Sequence, residues 1–129
     1  MSEVFTAWGL SEREKYHLRG KFLKKVFRYD DDDLCHLWAG PTSRDGYGYL
    51  QIVLRGKSRK LAAHRLSFFI GHDFARLDPH LHVSHLCHNK LCVNLSHLSL
   101  EPASINLSRT TCVRRNACYG HEGHQNCRL

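Results

Sequence analysis

The chain has 129 residues, which is enough for one compact domain and too few for two ordinary ones. Its 19 Lys and Arg outnumber its 12 Asp and Glu, so the formal net charge is +7, and such an excess favours a polyanionic partner, nucleic acid before membrane. No apolar run is long enough to span a membrane, and the N-terminus lacks the charged-then-apolar order of a signal peptide. We therefore expect a single domain that contacts no membrane and stays inside the cell.

The six cysteines and eleven histidines are the most informative part of the composition. Six cysteines in a small secreted protein would suggest three disulfides. Here the histidines crowd around the cysteines and no secretion signal is visible, which favours zinc binding. A zinc measurement under reducing conditions separates the two alternatives.

Residues 11–28 are predicted to form an amphipathic helix, within a basic N-terminal unit that extends to residue 29. Ser11 followed by Glu14 is a capping box, the pattern that begins a helix. The predicted apolar face consists of Leu18, Phe22, Val26 and Tyr29. Lysines and arginines cover much of the remaining surface, and they form either a solvated face or one that contacts DNA.

Residues 46–63 are predicted to form a basic β-hairpin. The stretch 46–54 is rich in aromatic and β-branched residues, residues 55–58 make the turn, and residues 59–63 return as the second strand. The cations on or beside this hairpin are Arg55, Lys57, Arg59, Lys60 and Arg65. A basic two-stranded ribbon has the size to enter a DNA major groove, and the alternative is an ordinary exposed hairpin. A short helix is expected next, over residues 65–70.

A first set of zinc ligands is predicted around residues 87–97. Cys87 and Cys92 are separated by four residues, and His97 follows Cys92 after another four. Thiolates and imidazole at such short spacing suit tetrahedral zinc, which needs four ligands in a closed structural site. Cys35, the only cysteine in the N-terminal half, is the natural fourth ligand.

The tail, residues 110–129, supplies a second set. Its members are Cys112, Cys118, Cys127 and either His121 or His124. Six cysteines, His97 and one tail histidine make eight ligands, which is two complete zinc sites with no thiol left over. Complete coordination spheres predict two structural zinc ions, with no open position for chemistry.

Residues 82–109 are predicted to form a ββα unit. A strand ends near His85, a zinc-fixed loop follows, a second strand covers residues 97–100, and a helix with Pro102 in its first turn bears Asn106. This order would place an imidazole opposite a carboxamide oxygen across a narrow cleft. The predicted fold class is therefore α+β, with an antiparallel sheet, a ββα unit and two zinc sites.

At this point a family resemblance can be stated. The segment Ser84-His85-Leu86-Cys87-His88-Asn89, with Cys92, His97 and Asn106 after it, resembles the His-Me finger (ββα-metal) homing endonucleases with two structural zinc sites, of the type encoded by a nuclear intron. Ala63-His64-Arg65 is similar to a further element of that family. The resemblance covers roughly residues 35–127 and leaves the N-terminal helix unexplained.

The resemblance implies hydrolysis of a phosphodiester bond with one catalytic Mg²⁺. His85 would be the general base that takes a proton from the attacking water, and Asn106 would ligate the Mg²⁺ through its side-chain oxygen. Arg55 is the candidate phosphate contact, because the family places an arginine at a similar distance after the first zinc cysteine. His64 is the candidate for an orienting or assisting role.

The resemblance also implies double-stranded DNA as the partner and a nuclear location. Family members form homodimers through a C-terminal arm that swaps between subunits, whereas this sequence ends two residues after Cys127, which leaves monomer and homodimer open. The alternative function is a zinc-stabilised nucleic-acid-binding module without catalysis. Such a module would need the zinc ligands but would have no reason to retain both His85 and Asn106. The residues themselves do not separate DNA from RNA.

Overall fold

The computed structural model describes residues 3–6, 9–28, 30–31 and 33–129. Within these ranges the helices are α1 (Glu3–Thr6), α2 (Glu12–Leu23), α3 (Ala63–Gly71) and α4 (Ala103–Arg115). The strands are β1 (Val26–Phe27), β2 (Leu37–Trp38), β3 (Tyr49–Leu54), β4 (Lys57–Ala62), β5 (Leu81–His85) and β6 (Leu98–Pro102). They pair in chain order as three antiparallel two-stranded sheets, so the architecture is mixed α and β as expected. No helix in these ranges has the length and apolar character to cross a membrane.

Helix α2 is shorter than the sequence predicted. Its capping box is present, with the Glu14 amide donating to Ser11 Oγ at 3.1 Å and the Ser11 amide donating to Glu14 Oε1 at 2.9 Å. The helix ends at Leu23, because Val26 and Phe27 leave it to pair with Trp38 and Leu37. The predicted helix over 11–28 is therefore wrong in its last five residues, and Tyr29 of the predicted apolar face lies outside the described residues.

The hairpin has a tighter turn than the sequence predicted. Lys57 and Ser58 belong to β4, where they pair with Leu54 and Val53, so the loop contains only Arg55 and Gly56. Both loop residues have positive φ, 52° and 74°, which is the type I′ geometry that matches the twist of the flanking strands. Residues 46–48 precede β3 and lie outside the paired strands.

The apolar core lies between α3, the hairpin and the N-terminal helices. Leu50 on β3, Leu61 on β4 and Leu66 on α3 are each at most 1 % exposed. Alternation along β3 buries every second side chain, as expected for a sheet with one face on a core. Phe5 of α1 packs edge-on against Phe69 of α3, with ring centroids 5.3 Å apart. Helix α3 spans residues 63–71, somewhat longer than the predicted 65–70.

Strands β5 and β6 form an antiparallel pair, and helix α4 begins directly after β6. Ser84 lies directly opposite Ser99 in the antiparallel register, and β5 ends at His85. The second strand begins at Leu98, one residue later than predicted, because His97 belongs to a 3₁₀ turn over Leu95–His97. Pro102 is the extended residue that precedes α4, with ψ of 155°, and so stands just before the helix instead of in its first turn.

A buried ion pair joins α4 to β6. Arg109 and Glu101 are 2 % and 0 % exposed, and the guanidinium donates to both carboxylate oxygens at 2.6 and 2.8 Å. The same guanidinium donates to the Gln125 carbonyl at 2.8 Å, which ties the tail to the helix. Bidentate geometry and complete burial make this pair the polar centre of the C-terminal part.

Candidate metal centres and catalytic cleft

The first cluster of potential metal ligands consists of Cys35, Cys87, Cys92 and His97, whose ligand atoms all lie within 4.8 Å of one another. The Sγ atoms of Cys35 and Cys87 are 3.6 Å apart, and His97 Nδ1 lies 3.6 Å from the sulfur of Cys35 and 3.4 Å from that of Cys92. Tetrahedral zinc with ordinary bond lengths separates two sulfurs by about 3.8 Å and a sulfur from a nitrogen by about 3.5 Å. The cluster therefore has the shape of a Cys₃His zinc site.

The charges of the first cluster also suit a metal. A hydrogen bond with Cys92 lowers the pKa of the Cys87 thiol to about 4, and the same contact raises the pKa of Cys92. A thiolate is the form that binds zinc, so one ligand is already in its binding state at neutral pH. His97 Nε2 lies 2.8 Å from the Asp33 carbonyl, and this contact fixes the ring with Nδ1 toward the sulfurs.

The second cluster consists of Cys112, Cys118, His121 and Cys127, again within 4.8 Å of one another. His121 Nε2 lies 3.4 Å from Cys112 Sγ and 3.5 Å from Cys127 Sγ. Its other ring nitrogen is 2.9 Å from Ser108 Oγ, which orients the ring. A backbone hydrogen bond from Cys127 lowers the pKa of the Cys118 thiol to about 7.

Of the two tail histidines, the structure brings only His121 into this cluster. His124 instead points its Nδ1 at the Glu101 carboxylate, 3.9 Å away. The sequence left the choice open because both histidines follow Cys118 at a short distance. The structure separates them through the turn at residues 121–124, which closes with a backbone hydrogen bond of 2.8 Å.

A cleft of about 680 Å³ has four histidines in its lining. Strand β5, helices α3 and α4, and the loops before β3 and after β5 contribute to its walls. The lining residues are Tyr47, His64, Arg65, His82, Val83, Ser84, His85, His88, Lys90, Ala103, Asn106, Leu107, Arg109, Thr110 and Val113. The predicted pair His85 and Asn106 thus lines one cavity.

His85 lies at the end of β5, two residues before the zinc-site residue Cys87. Burial lowers the pKa of its imidazole, opposed by the negative charge of Cys87 and by a hydrogen bond with the backbone of Cys92. Its Nε2 atom is buried and makes no hydrogen bond within the described part of the chain. The first cluster therefore fixes a neutral imidazole that has an unused nitrogen.

His64 and Tyr47 stack around His85. The centroid of the His64 ring is 4.7 Å from that of His85, and the Tyr47 ring is 6.0 Å from it. Burial lowers the pKa of His64 to about 3, helped by the charges of His85 and Arg65, so His64 is also neutral at neutral pH. The structure therefore places the His64 ring beside the candidate base His85.

Asn106 stands on the first turns of α4 and faces β5. Its side-chain oxygen accepts a hydrogen bond from Ser84 Oγ at 2.7 Å. Ser84 is 2 % exposed, so the contact joins a partly buried amide to a buried hydroxyl. This pairing fixes the depth of the amide in the cleft.

Arg55 does not reach this cleft. The guanidinium lies at the tip of the hairpin, where it donates to Glu14 at 2.8 and 3.0 Å and to the Gly9 carbonyl at 2.9 Å. The ion pair lowers the pKa of Glu14 to about 2. The structure thus places the predicted phosphate contact on the surface near α2. The sequence could not show this, because the position of an arginine on a hairpin depends on the strand register.

The sequence analysis did not assign Lys90 or Tyr47 to the cleft, and it placed Arg65 only beside the hairpin and in the element Ala63-His64-Arg65. Lys90 lies inside the loop between Cys87 and Cys92, donates to the Asp45 carbonyl at 2.9 Å, and stands 5.0 Å from the Tyr47 ring centroid. Arg65 donates to the Leu81 carbonyl at 3.3 Å and lines the cleft beside His64. The position of Lys90 within the zinc loop was a usable signal, whereas nothing local to the sequence marked Tyr47.

The fold and the two clusters define a small zinc-binding α/β protein with a histidine-lined cleft. A family model described as the zinc-binding loop region of homing endonuclease matches residues 35–128, more than two thirds of the chain. The chain belongs to this family, the His-Me homing endonucleases, and its two Cys₃His clusters agree with that membership. Membership indicates a nuclease-related function with DNA as the substrate class, and the clusters support two zinc ions. No curated protein matches the chain significantly.

Proposed function

We propose that the protein is a Mg²⁺-dependent DNA endonuclease in which His85 is the general base and Asn106 is the metal ligand. The observation that carries the proposal is the shared cleft: a buried imidazole nitrogen without a hydrogen bond in the described residues and a carboxamide on α4 line one cavity. The two Cys₃His clusters have complete sets of four ligands, which suits a structural role separate from the cleft.

His85 has the properties of a general base at neutral pH. Its pKa is lowered, so the imidazole is neutral and able to accept a proton. The hydrogen bond with the Cys92 backbone engages the ring nitrogen opposite Nε2 and holds the ring in place, which leaves Nε2 for the attacking water. His64 and Tyr47 pack on the imidazole and exclude bulk water from it.

The donor set around Asn106 fits a weakly held Mg²⁺. A carboxamide oxygen is a hard ligand of the kind Mg²⁺ accepts, and none of the described residues that line the cleft is acidic. One neutral protein oxygen leaves most of the octahedron to water and to the phosphate of a substrate, so binding would be productive only with DNA present. When bound, Mg²⁺ would stabilise the charge that develops on the phosphate and on the leaving oxygen.

The cleft also offers cations for an anionic substrate. Arg65 and Lys90 both line it, and we assign to them the phosphate contact that the sequence analysis gave to Arg55. Lys90 is exposed, and its position is set by the loop of the first cluster. Electrostatic attraction to phosphate requires no sequence information, so these contacts would position any duplex.

The hairpin is the surface best shaped for base contacts. The face opposite the core presents Gln51, Val53, Ser58 and Lys60, in directly opposed pairs along the antiparallel register. A two-stranded ribbon of this kind fits a major groove. Its polar and apolar side chains would supply sequence preference beside the cleft that cuts.

The test is cleavage of a library of random-sequence DNA duplexes, which contains even a rare target site. Wild type is compared with His85→Ala and with the matched control His80→Ala, an exposed histidine outside the cleft. We expect wild type and His80→Ala to cut the same sequences with Mg²⁺. We expect His85→Ala to cut about 10²- to 10⁴-fold more slowly, the usual contribution of a positioned base.

Two outcomes would contradict the proposal. Equal rates for His85→Ala and wild type would remove His85 from the chemistry. Retention of DNA on all three proteins with no cut by any of them would instead support a zinc-stabilised binding module. The same assay on RNA of random sequence separates the two nucleic acids as substrates.

A further inference from the structure

The hydroxyl of Ser84 lies near two hydrogen-bond acceptors, the amide oxygen of Asn106 and the carboxylate of Glu101. This hydroxyl donates to Asn106 Oδ1 at 2.7 Å, and Ser84 lies on the same face of the β5–β6 pair as Glu101, whose pKa is lowered by hydrogen bonding to Ser84. A serine hydroxyl has one proton to donate and two lone pairs that accept. Ser84 can therefore donate to only one of these partners at a time, and its choice affects the amide of Asn106.

The carboxylate of Glu101 is a strong and fixed acceptor. It is fully buried and receives two hydrogen bonds from Arg109, and hydrogen bonding to Ser99 also lowers its pKa. Burial alone would raise its pKa, but the hydrogen bonds from Arg109 and Ser84 and the charge of Arg109 lower it, so it is ionised. A hydrogen bond to an ionised acceptor is roughly twice as strong as a neutral one.

Rotation about the last side-chain bond of Asn106 exchanges the positions of its amide oxygen, Oδ1, and its amide nitrogen, Nδ2. With Oδ1 on Ser84, as in the structure, the NH₂ group lies on the opposite side of the amide. When Ser84 donates its hydrogen bond to Glu101, Ser84 Oγ can only accept a hydrogen bond from Asn106. The amide then keeps a hydrogen bond with Ser84 only if its NH₂ group turns toward the serine. That turn directs Oδ1 away from Ser84, toward the cleft.

We propose that Ser84 is the positioning residue for the metal ligand: it donates to Asn106 Oδ1 in one orientation and accepts from Asn106 Nδ2 in the other, in which the carboxamide oxygen faces the cleft. The proposal rests on the function proposed above, because the orientation of the amide matters only if Asn106 binds Mg²⁺. Glu101 supports the second orientation by accepting the hydrogen bond from Ser84, and Arg109 holds the Glu101 carboxylate in place through its two hydrogen bonds. Arg109 also lies 3.4 Å from Cys127 Sγ in the second cluster.

The sequence offers a matched control for this proposal. Ser99 is the direct cross-strand partner of Ser84, is 8 % exposed and, like Ser84, lowers the pKa of Glu101 by hydrogen bonding. Ser84→Ala and Ser99→Ala each remove one hydroxyl from Glu101, but only Ser84→Ala removes the partner of Asn106. A difference between the two variants therefore reports on the amide alone.

The experiment is a Mn²⁺ titration of the two-zinc protein saturated with a short DNA duplex, whose phosphates complete the coordination of the ion, followed by paramagnetic broadening of the Asn106 side-chain amide in a ¹H–¹⁵N spectrum. We expect Ser84→Ala to raise the half-saturating Mn²⁺ concentration about fivefold, which is the fold-change that one net hydrogen bond is worth. We expect Ser99→Ala to stay within about twofold of wild type. In wild type with saturating Mg²⁺, the amide protons of Asn106 should show nuclear Overhauser contacts to the Ser84 methylene.

Each result decides a different question. Equal titrations for Ser84→Ala and Ser99→Ala, or no contact between the Asn106 amide protons and Ser84 in the Mg²⁺-saturated protein, would overturn the positioning role alone. An Asn106 amide that Mn²⁺ never broadens in wild type would overturn the proposed metal site and, with it, this inference. If Ser84→Ala does not fold, the wild-type contact decides the positioning role without it.

Discussion

The two parts of the molecule are held together by different kinds of interaction. All buried members of the apolar core except Val93 come from residues 4–77. After residue 80 three further apolar side chains, Val83, Leu86 and Leu98, are buried. The other buried positions there include zinc-site residues such as Cys92, Cys112 and His97, and the ion pair of Glu101 with Arg109. The part that builds most of the cleft therefore depends on polar and metal-binding groups, whereas the part beside it depends on apolar packing.

The comparison shows why the zinc clusters lie where they do. Burying one large apolar side chain stabilises a fold by about 1.5–3 kcal/mol, whereas a structural zinc site contributes roughly 10 kcal/mol or more. A short segment that must present polar side chains to a cleft has few positions left for apolar burial. Two metal sites supply rigidity there without using the cleft surface.

The largest expected effect is the loss of the second cluster. His121→Ala should lower the zinc content from two ions to one per chain and should expose α4 and the tail to hydrogen exchange, because the cluster loses its nitrogen ligand. Residues of β3, β4 and α3 should keep their protection, since their contacts are apolar. Native mass spectrometry and exchange measurements check both statements.

The matched control is His124→Ala, which removes the other tail histidine and leaves the cluster complete. It should retain two zinc ions. Loss of zinc from His124→Ala but not from His121→Ala would reverse the assignment of the ligand and would change the boundary between the two parts.

A smaller effect is expected from the buried ion pair. Arg109→Met should lower the free energy of unfolding by about 3–5 kcal/mol, because it leaves the Glu101 carboxylate buried without its partner. The double variant Glu101→Leu with Arg109→Met should be less destabilised than the single one. Urea unfolding with zinc in excess measures all three proteins.

The counterpart in the apolar part is Leu66→Ala, which should cost about 2–5 kcal/mol by leaving a cavity in the core. Both Leu66→Ala and Arg109→Met should keep two zinc ions if the clusters fold independently of these side chains. If the double variant Glu101→Leu with Arg109→Met is as unstable as Arg109→Met alone, the instability of Arg109→Met does not come from an unpaired buried carboxylate.

The smallest effect is expected at the surface pair of Glu14 with Arg55. Glu14→Gln should lower stability by at most about 1 kcal/mol, because the Arg55 side chain is 46 % exposed and glutamine can still cap α2. Urea unfolding at low and at high salt checks this, since a surface pair weakens with salt. A loss of several kcal/mol would mean that the pair holds α2 to the hairpin as firmly as the core does.

Local patterns predicted much of this molecule, and distant pairings account for what they missed. The short spacings from Cys87 to His97 indicated a cluster, since few residues separate ligands that must converge. The end of α2 could not be predicted in the same way, because Val26 leaves the helix to pair with Trp38, twelve residues away.

The same reasoning explains why the positions of Arg55 and Arg109 could not be predicted. The position of Arg55 depends on a two-residue turn that fixes the register of the hairpin, and one shifted pair moves every side chain to the other face. Arg109 gave no signal at all, because charged residues are expected at the surface until a buried partner such as Glu101 is known.

The most direct test of the central claim is the metal requirement of the protein with both zinc ions bound. Protein in metal-depleted buffer, with zinc counted by mass spectrometry, is mixed with the DNA library with and without millimolar Mg²⁺. We predict two zinc ions per chain, no cleavage without Mg²⁺ and cleavage with it, lost in Asn106→Ala at the same Mg²⁺ concentration. Cleavage by the two-zinc protein without Mg²⁺, or undiminished cleavage by Asn106→Ala, would contradict the separation of structural zinc from a catalytic cleft.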